Sequence, residues 1–161
     1  MTNVKDVSQF KSFQLSMKDA VYNPKLGVMN LTLEETEIGG VRIALNHVFI
    51  DPQGKIVPHL HEHNGEILQV FSDVVIFLGM PVKTKDGKYQ MEDDKIVVKW
   101  NKPIYMHSGD SVRIAEGTPH CFFNLTDQPA HLQFILPCRH FKADEKGYMD
   151  SKLTTAPETN F

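Results

Sequence analysis

The sequence predicts an all-β fold, a closed barrel of antiparallel strands, and three observations carry that prediction. Short runs rich in Val, Ile and Phe recur along the chain, at 41–50, 74–78, 112–115 and 131–136, as strands with a buried face require. Turn residues separate them: Gly39-Gly40, Asp51-Pro52-Gln53-Gly54, Asn64-Gly65, Ser108-Gly109-Asp110 and Gly117-Thr118-Pro119. Two stretches far apart in the chain, Pro58–Glu66 and Gly109–Asn124, carry the residues able to do chemistry, and strands facing one interior would bring them together. A chain of 161 residues, 41% of them apolar, is expected to form one domain with a sound core.

Taken in order, residues 1–22 place Val7, Phe10, Phe13, Met17, Ala20 and Val21 at spacings of three and four, which predicts a short amphipathic helix or arm. Asn23-Pro24 ends it, so 1–25 is set apart as an N-terminal arm and 26–141 as the barrel. Residues 26–38 predict one or two short strands. The strand at 41–50 contains His47, a candidate for lining an interior site if it faces inward and a structural residue if it does not. In an extended stretch His59, His61 and His63 share one face. Asn64-Gly65 is a strong hairpin signal, and the chain is expected to reverse there and return through 66–71, with Glu66 able to face the same interior.

Residues 81–103 read as a hairpin tip at Asp86-Gly87, a second turn at 92–95, and a half-exposed strand at 96–100. His107 sits beside a turn and is expected to be exposed. The strand from His120 places His120, Phe122 and Asn124 on one face. In the closing strand, periodicity leaves open which set faces inward: Leu132, Phe134 and Leu136, or His131, Gln133 and Ile135. Gln133 is therefore a second candidate lining residue. Residues 142–161 are polar and are expected to form a loose or partner-bound tail.

Imidazole nitrogen together with carboxylate oxygen suits a divalent first-row transition metal. The residues also resemble a known pattern, the paired motifs of the cupin superfamily. The first, Gly-x5-His-x-His-x3,4-Glu-x6-Gly, is met by His59, His61 and, four residues on, Glu66. It departs at Gly54, one residue too close to His59, and at Asp73, which stands in place of the closing Gly. The second, Gly-x5-Pro-x-Gly-x2-His-x3-Asn, is met by Gly109, Gly117, His120 and Asn124, with Ala115 in place of Pro. The resemblance implies a cupin-type β-barrel, that is, a double-stranded β-helix or jelly roll. It implies His59, His61, Glu66 and His120 as metal ligands, with His63 a neighbour lining the site. It further implies a divalent transition metal (Fe, Mn, Ni, Co or Zn), a small-molecule ligand or substrate, and a homodimer.

Composition narrows the function. A net charge of −3 and a pI near 6.2 give no electrostatic case for nucleic acid or an anionic membrane. No apolar run reaches the ~18 residues of a membrane span, and the N-terminal residues lack a secretory layout. The two Cys, at 121 and 138, make no disulfide framework. A cytoplasmic protein with buried, inert thiols is expected. The favoured reading is a mononuclear small-molecule metalloenzyme of the dioxygenase type, its metal in an apolar wall built from residues such as Phe49, Val70, Phe122 and Phe134. One alternative is a metal-dependent sugar or oxo-acid isomerase or lyase, in which Glu66 or a nearby His moves the proton, with His47, His63, Tyr105 and Gln133 as further candidates. The others are a non-catalytic small-molecule binder and a cupin whose metal is only a staple.

Overall fold

Runs of β-branched and aromatic residues bounded by turn residues fold into strands. The structure, a computed structural model, describes residues 20–24, 26–38, 41–137 and 151–159. Fourteen strands lie among them. In chain order they are β1 (Val21–Asn23), β2 (Val28–Ile38), β3 (Val41–Ile50), β4 (Lys55–His61), β5 (Glu66–Val70), β6 (Val74–Pro81) and β7 (Met91–Glu92). There follow β8 (Lys95–Ile96), β9 (Val98–Trp100), β10 (Ile104–Met106), β11 (Ser111–Ile114), β12 (His120–Phe123), β13 (Ala130–Pro137) and β14 (Ser151–Leu153).

Two sheets of antiparallel strands face each other. One runs β1-β2-β3-β13-β5-β11, and the other β10-β6-β12-β4-β14 with β9 added to β6. Alternation along each strand sends one set of side chains into the space between the sheets. Val48, Ile50, Leu68, Val70, Leu132 and Phe134 from the first sheet meet Ile56, Ile76 and Phe122 from the second in a single buried cluster. Burying each such side chain contributes roughly 1.5–3 kcal/mol. The closing strand is thereby resolved: Leu132, Phe134 and Leu136 face inward, while His131 and Gln133 face out and Ile135 with them. This is the all-β jelly-roll barrel that the sequence predicts.

Four expectations are modified. First, Asn64-Gly65 makes no hairpin. β4 and β5 belong to different sheets and do not pair, so the chain turns a corner between the sheets. Asn64 is buried, and a Cβ at Gly65 would lie 2.9 Å from the Ile114 carbonyl oxygen. Close backbone approach, and not turn geometry, accounts for that glycine. Second, residues 26–38 form one long strand, with a register irregularity between Leu33 and Thr36. Third, the end of the polar tail docks: β14 pairs with the edge of β4, and Trp100 donates its indole N–H to the Thr155 carbonyl at 3.1 Å. Strand addition uses backbone groups, so polar composition does not forbid it. Fourth, the expected helix over 1–22 lies largely outside the described residues, and Val21–Asn23 joins the barrel as β1.

The segment between the two histidine stretches covers the far side of the second sheet. Ile96 and Val98 pack on Leu60, with Tyr89 and Trp100 against them, on the face opposite His59 and His61. It closes the back of that sheet. The Asp93-Asp94 turn between β7 and β8 has both residues at positive φ, 46° and 60°, as a tight hairpin needs.

Gly65→Ala is expected to cost about 1–3 kcal/mol, because the added methyl overpacks against backbone. A urea denaturation midpoint equal to that of the wild type would show that the corner can yield.

Candidate metal centre

Strand pairing places the histidines. In β4, His59 and His61 sit two apart and face inward, while Leu60 between them faces the back of the sheet. β12 pairs with β4 so that His120 stands opposite His59, and the ring centroids are 4.3 Å apart. His61 completes the group, at 5.0 Å from the His59 ring and 5.5 Å from that of His120. Ligand nitrogens of the three lie within 4.8 Å of one another. Glu66 reaches in from the opposite sheet at the start of β5. Its Oε1 is 3.0 Å from His120 Nε2 and its Oε2 is 3.8 Å from His61 Nε2. All four side chains are buried, none more than 5% exposed.

The loops that hold these strand ends are tied together. Gly117 donates its N–H to the His61 carbonyl at 2.6 Å from a backbone at φ +71°, a conformation glycine adopts without strain. Asn124 plays no chemical part. Its amide donates to the carbonyls of Asp51 and Gln128 at 3.0 and 2.7 Å, and its oxygen accepts from the N–H and hydroxyl of Thr126.

The tautomers follow from these contacts. Nδ1 of His59 lies 2.7 Å from the Val57 carbonyl and Nδ1 of His120 lies 2.9 Å from the Thr118 carbonyl. A carbonyl only accepts, so each Nδ1 carries the proton and each neutral ring keeps Nε2 as an acceptor. Nε2 of His120 then faces Glu66 Oε1, an acceptor against an acceptor, and that oxygen has no hydrogen-bond donor among the described residues. Two electron-pair donors at 3.0 Å need a positive charge between or beside them. A proton on Nε2 is one answer. Burial opposes it, but the Glu66 charge, the contact with Glu66 and the Thr118 carbonyl outweigh burial and raise the His120 pKa. A divalent cation is the other, and it also serves His59 and His61, which a single proton does not. The donor set of three imidazoles with a carboxylate alongside, each imidazole proton directed to backbone where its contact is defined, fits a transition metal.

A small cavity opens beside the cluster, lined by His59, His61, Glu66 and Asn46 with Leu26, Val28, Val48, Ile56, Phe134 and Leu136. Sequence reasoning missed Asn46. β3 is apolar on both faces, so its parity is unreadable until it is paired with β13.

Three candidate lining residues fall elsewhere. His47 pairs in register with Gln133, and both face out from the barrel, because Asn46 and Val48 take the inward positions. His63 lies past the end of β4 and is exposed, so the alternation that aligned it with His59 and His61 stops before reaching it. Phe49 is likewise outside the wall and stacks on the outward-facing His131 at 4.7 Å. Phe122 is buried beneath the centre, its ring 6.0 Å from that of His120, and does not line the cavity. Cys121 faces the back of its sheet, fully buried against Val75 and Phe77. Burial pushes its thiol up to about 12, so it is inert as expected. Cys138 lies outside the described residues.

No protein-family model matches the chain. No curated protein matches it either. Solved structures do match in fold. A protein of Photorhabdus luminescens superposes with a TM-score of 0.58 at 12% identity, over 80% of this chain and 88% of the other. A Cupin 2 conserved barrel domain protein from Salinispora arenicola gives 0.57 at 12% identity, over 83% and 97%. The polyketide cyclase RemF from Streptomyces resistomycificus gives 0.55 at 18% identity, over 91% and 88%.

The outward pair His47 and His131 makes a pH prediction. Their rings meet at 2.9 Å, Nδ1 to Nε2. Burial lowers the pKa of both below 6.5, and for His131 the charge of His47 lowers it further. The unfolded chain therefore binds protons there more readily than the folded one. The pair's contribution is full above pH 6.5 and is lost as pH falls through the lowered folded values. The double variant His47→Gln/His131→Gln is expected to lose less stability than wild type between about pH 7.5 and 5. Parallel stability curves for the two proteins would contradict this.

Proposed function

We propose that this chain, whose fold is the cupin barrel, is a mononuclear metalloenzyme of the dioxygenase type acting on a small organic molecule. The observation that carries the reading is the facing pair of acceptors, His120 Nε2 and Glu66 Oε1 at 3.0 Å, at the edge of an apolar cavity. His59, His61 and His120 would hold the metal, and Glu66 would complete the set. A divalent ion so held would supply Lewis-acid activation of substrate and dioxygen.

The chain's own groups do the rest. The carbonyls of Val57 and Thr118 fix the rings of His59 and His120 in orientation and tautomer. Val48, Ile56 and Phe134 keep water from the reacting atoms. Glu66 is the one carboxylate among the described residues that line the cavity, and it would take any proton that leaves the substrate. Dioxygen is the oxidant, and both its atoms pass into the organic product, so no external reductant is needed.

The isomerase reading needs a second proton mover. His47, His63 and Gln133 lie outside the cavity, and Tyr105 is 62% exposed on β10. A homodimer belongs to the proposal: the outward face of the first sheet leaves Ile67 and Phe71 exposed, as a self-complementary surface requires.

Native purification followed by metal analysis is expected to give close to one transition-metal ion per chain, with His120→Ala falling toward none while the fold is retained. Metal-dependent dioxygen uptake with an organic substrate completes the test. Metal content unchanged in His120→Ala contradicts the ligand assignment. Substrate turnover under strict anaerobiosis contradicts the dioxygenase reading.

A further inference from the structure

The strand that carries His59 and His61 is held differently along its length. On one side β4 pairs with β12, His59 with His120, Ile56 with Phe122 and Lys55 with Phe123, and the register slips between His120 and Phe122. That ladder does not extend to Leu60 and His61, whose backbone partners lie on the other side. There β14 sets Ser151 opposite His61, Lys152 opposite Leu60 and Leu153 opposite His59. Gly117 adds one bond, to the His61 carbonyl. The end of β4 that presents His61 thus rests on the strand at 151–153.

β14 is the outer strand of its sheet, so its hold on β4 depends on the residues that follow it. Thr154 is buried and donates its N–H to the Pro58 carbonyl at 3.0 Å, and Thr155 donates to the Ile96 carbonyl at 2.9 Å. The Thr155 hydroxyl accepts from the Val98 N–H at 3.1 Å, and its carbonyl accepts from the Trp100 indole, also at 3.1 Å. Lys152 meets Glu62 at 2.6 Å, but both side chains are partly in solvent and such a pair adds little. Hydrogen bonds at Thr154 and Thr155 carry the docking. Neither residue lines the cavity, so the docking is open to perturbation without touching a ligand.

Resting on the metal reading above, we infer that residues 151–155 belong to the metal centre as a positioning element, and that metal binding and docking of this strand strengthen each other. With β14 docked, the His61 end of β4 is fixed in advance, and less ordering is left for an ion to bring about. With an ion bound, His61 is tied to His59 and His120, and β4 keeps the extended edge that β14 pairs with. The linkage is reciprocal: the factor by which docking raises metal affinity equals the factor by which metal favours docking. Residues 151–155 act through β4 and touch neither metal nor substrate.

The test uses the full chain, stripped with chelator and titrated with Zn(II) against a chelating dye. Thr154→Pro/Thr155→Pro removes both N–H donors and the Thr155 hydroxyl. Undocking takes the carbonyl of residue 155 away from the indole of Trp100, the chain's one Trp, and its emission is expected to shift to the red. Zn(II) affinity is expected to fall about tenfold or more, with stoichiometry at the wild-type value. In the wild type, Zn(II) is expected to slow hydrogen exchange at the Thr154 and Thr155 amides by a similar factor. A strand docked independently of the metal would not give that response. Wild-type affinity in a double variant whose Trp100 emission has shifted overturns the inference. So does exchange at the two amides that Zn(II) leaves unchanged, a measurement that stands even where the substituted chain does not fold. In either case Zn(II) still binds and the metal reading stands. A wild-type chain that takes up no Zn(II) overturns both.

Discussion

Everything at this centre depends on where two ring protons go. The carbonyls of Val57 and Thr118 take the Nδ1 protons of His59 and His120, so the Nε2 electron pairs belong to the interior. Each carbonyl lies two residues before its own histidine, so the constraint is local to the strand or turn that carries the ring. The carboxylate of Glu66 comes from the other sheet, and it is the only part of the arrangement that requires the barrel to close. Acceptors alone do not gather in a buried place without a positive charge to hold them.

The barrel serves this arrangement in two ways. Pairing of β12 with β4 brings His120 opposite His59, joining stretches some sixty residues apart in the chain. The same inward alternation that delivers the ligands also delivers Val48, Ile56 and Phe134, so the wall beside the centre is apolar without any added element. The rest of the chain braces the outside. Ile96 and Val98 cover the back of β4 at Leu60, and β14 extends its free edge. Lys152 of that strand also meets Glu62, just past His61, at 2.6 Å. A tail that reads as loose in composition thus borders the strand with two of the ligands.

The sequence was most legible where spacing and chemistry coincide. His59, His61, Glu66 and His120 are named by their motifs, and the strands at 41–50, 112–115 and 131–136 fall within a residue or two of β3, β11 and β13. It was least legible where parity decides. His47 and Asn46 are neighbours on a strand that is apolar on both faces, and only the register with β13 shows that Asn46 is inside and His47 outside. His63 failed for a related reason, because alternation holds only while the strand lasts, and β4 ends at His61. Asn64-Gly65 misled because its glycine answers to a neighbouring carbonyl and not to a hairpin. β14 was hidden because edge pairing is a property of backbone, which composition does not report.

The most direct test is nitrogen NMR of the imidazoles in protein labelled at histidine, with and without Zn(II) as a diamagnetic probe. His59 and His120 are expected to keep the proton on Nδ1 in both states, with Zn(II) shifting their Nε2 resonances and those of His61. Binding through Nδ1 of either ring, or Nε2 resonances that do not respond to Zn(II), would contradict the account.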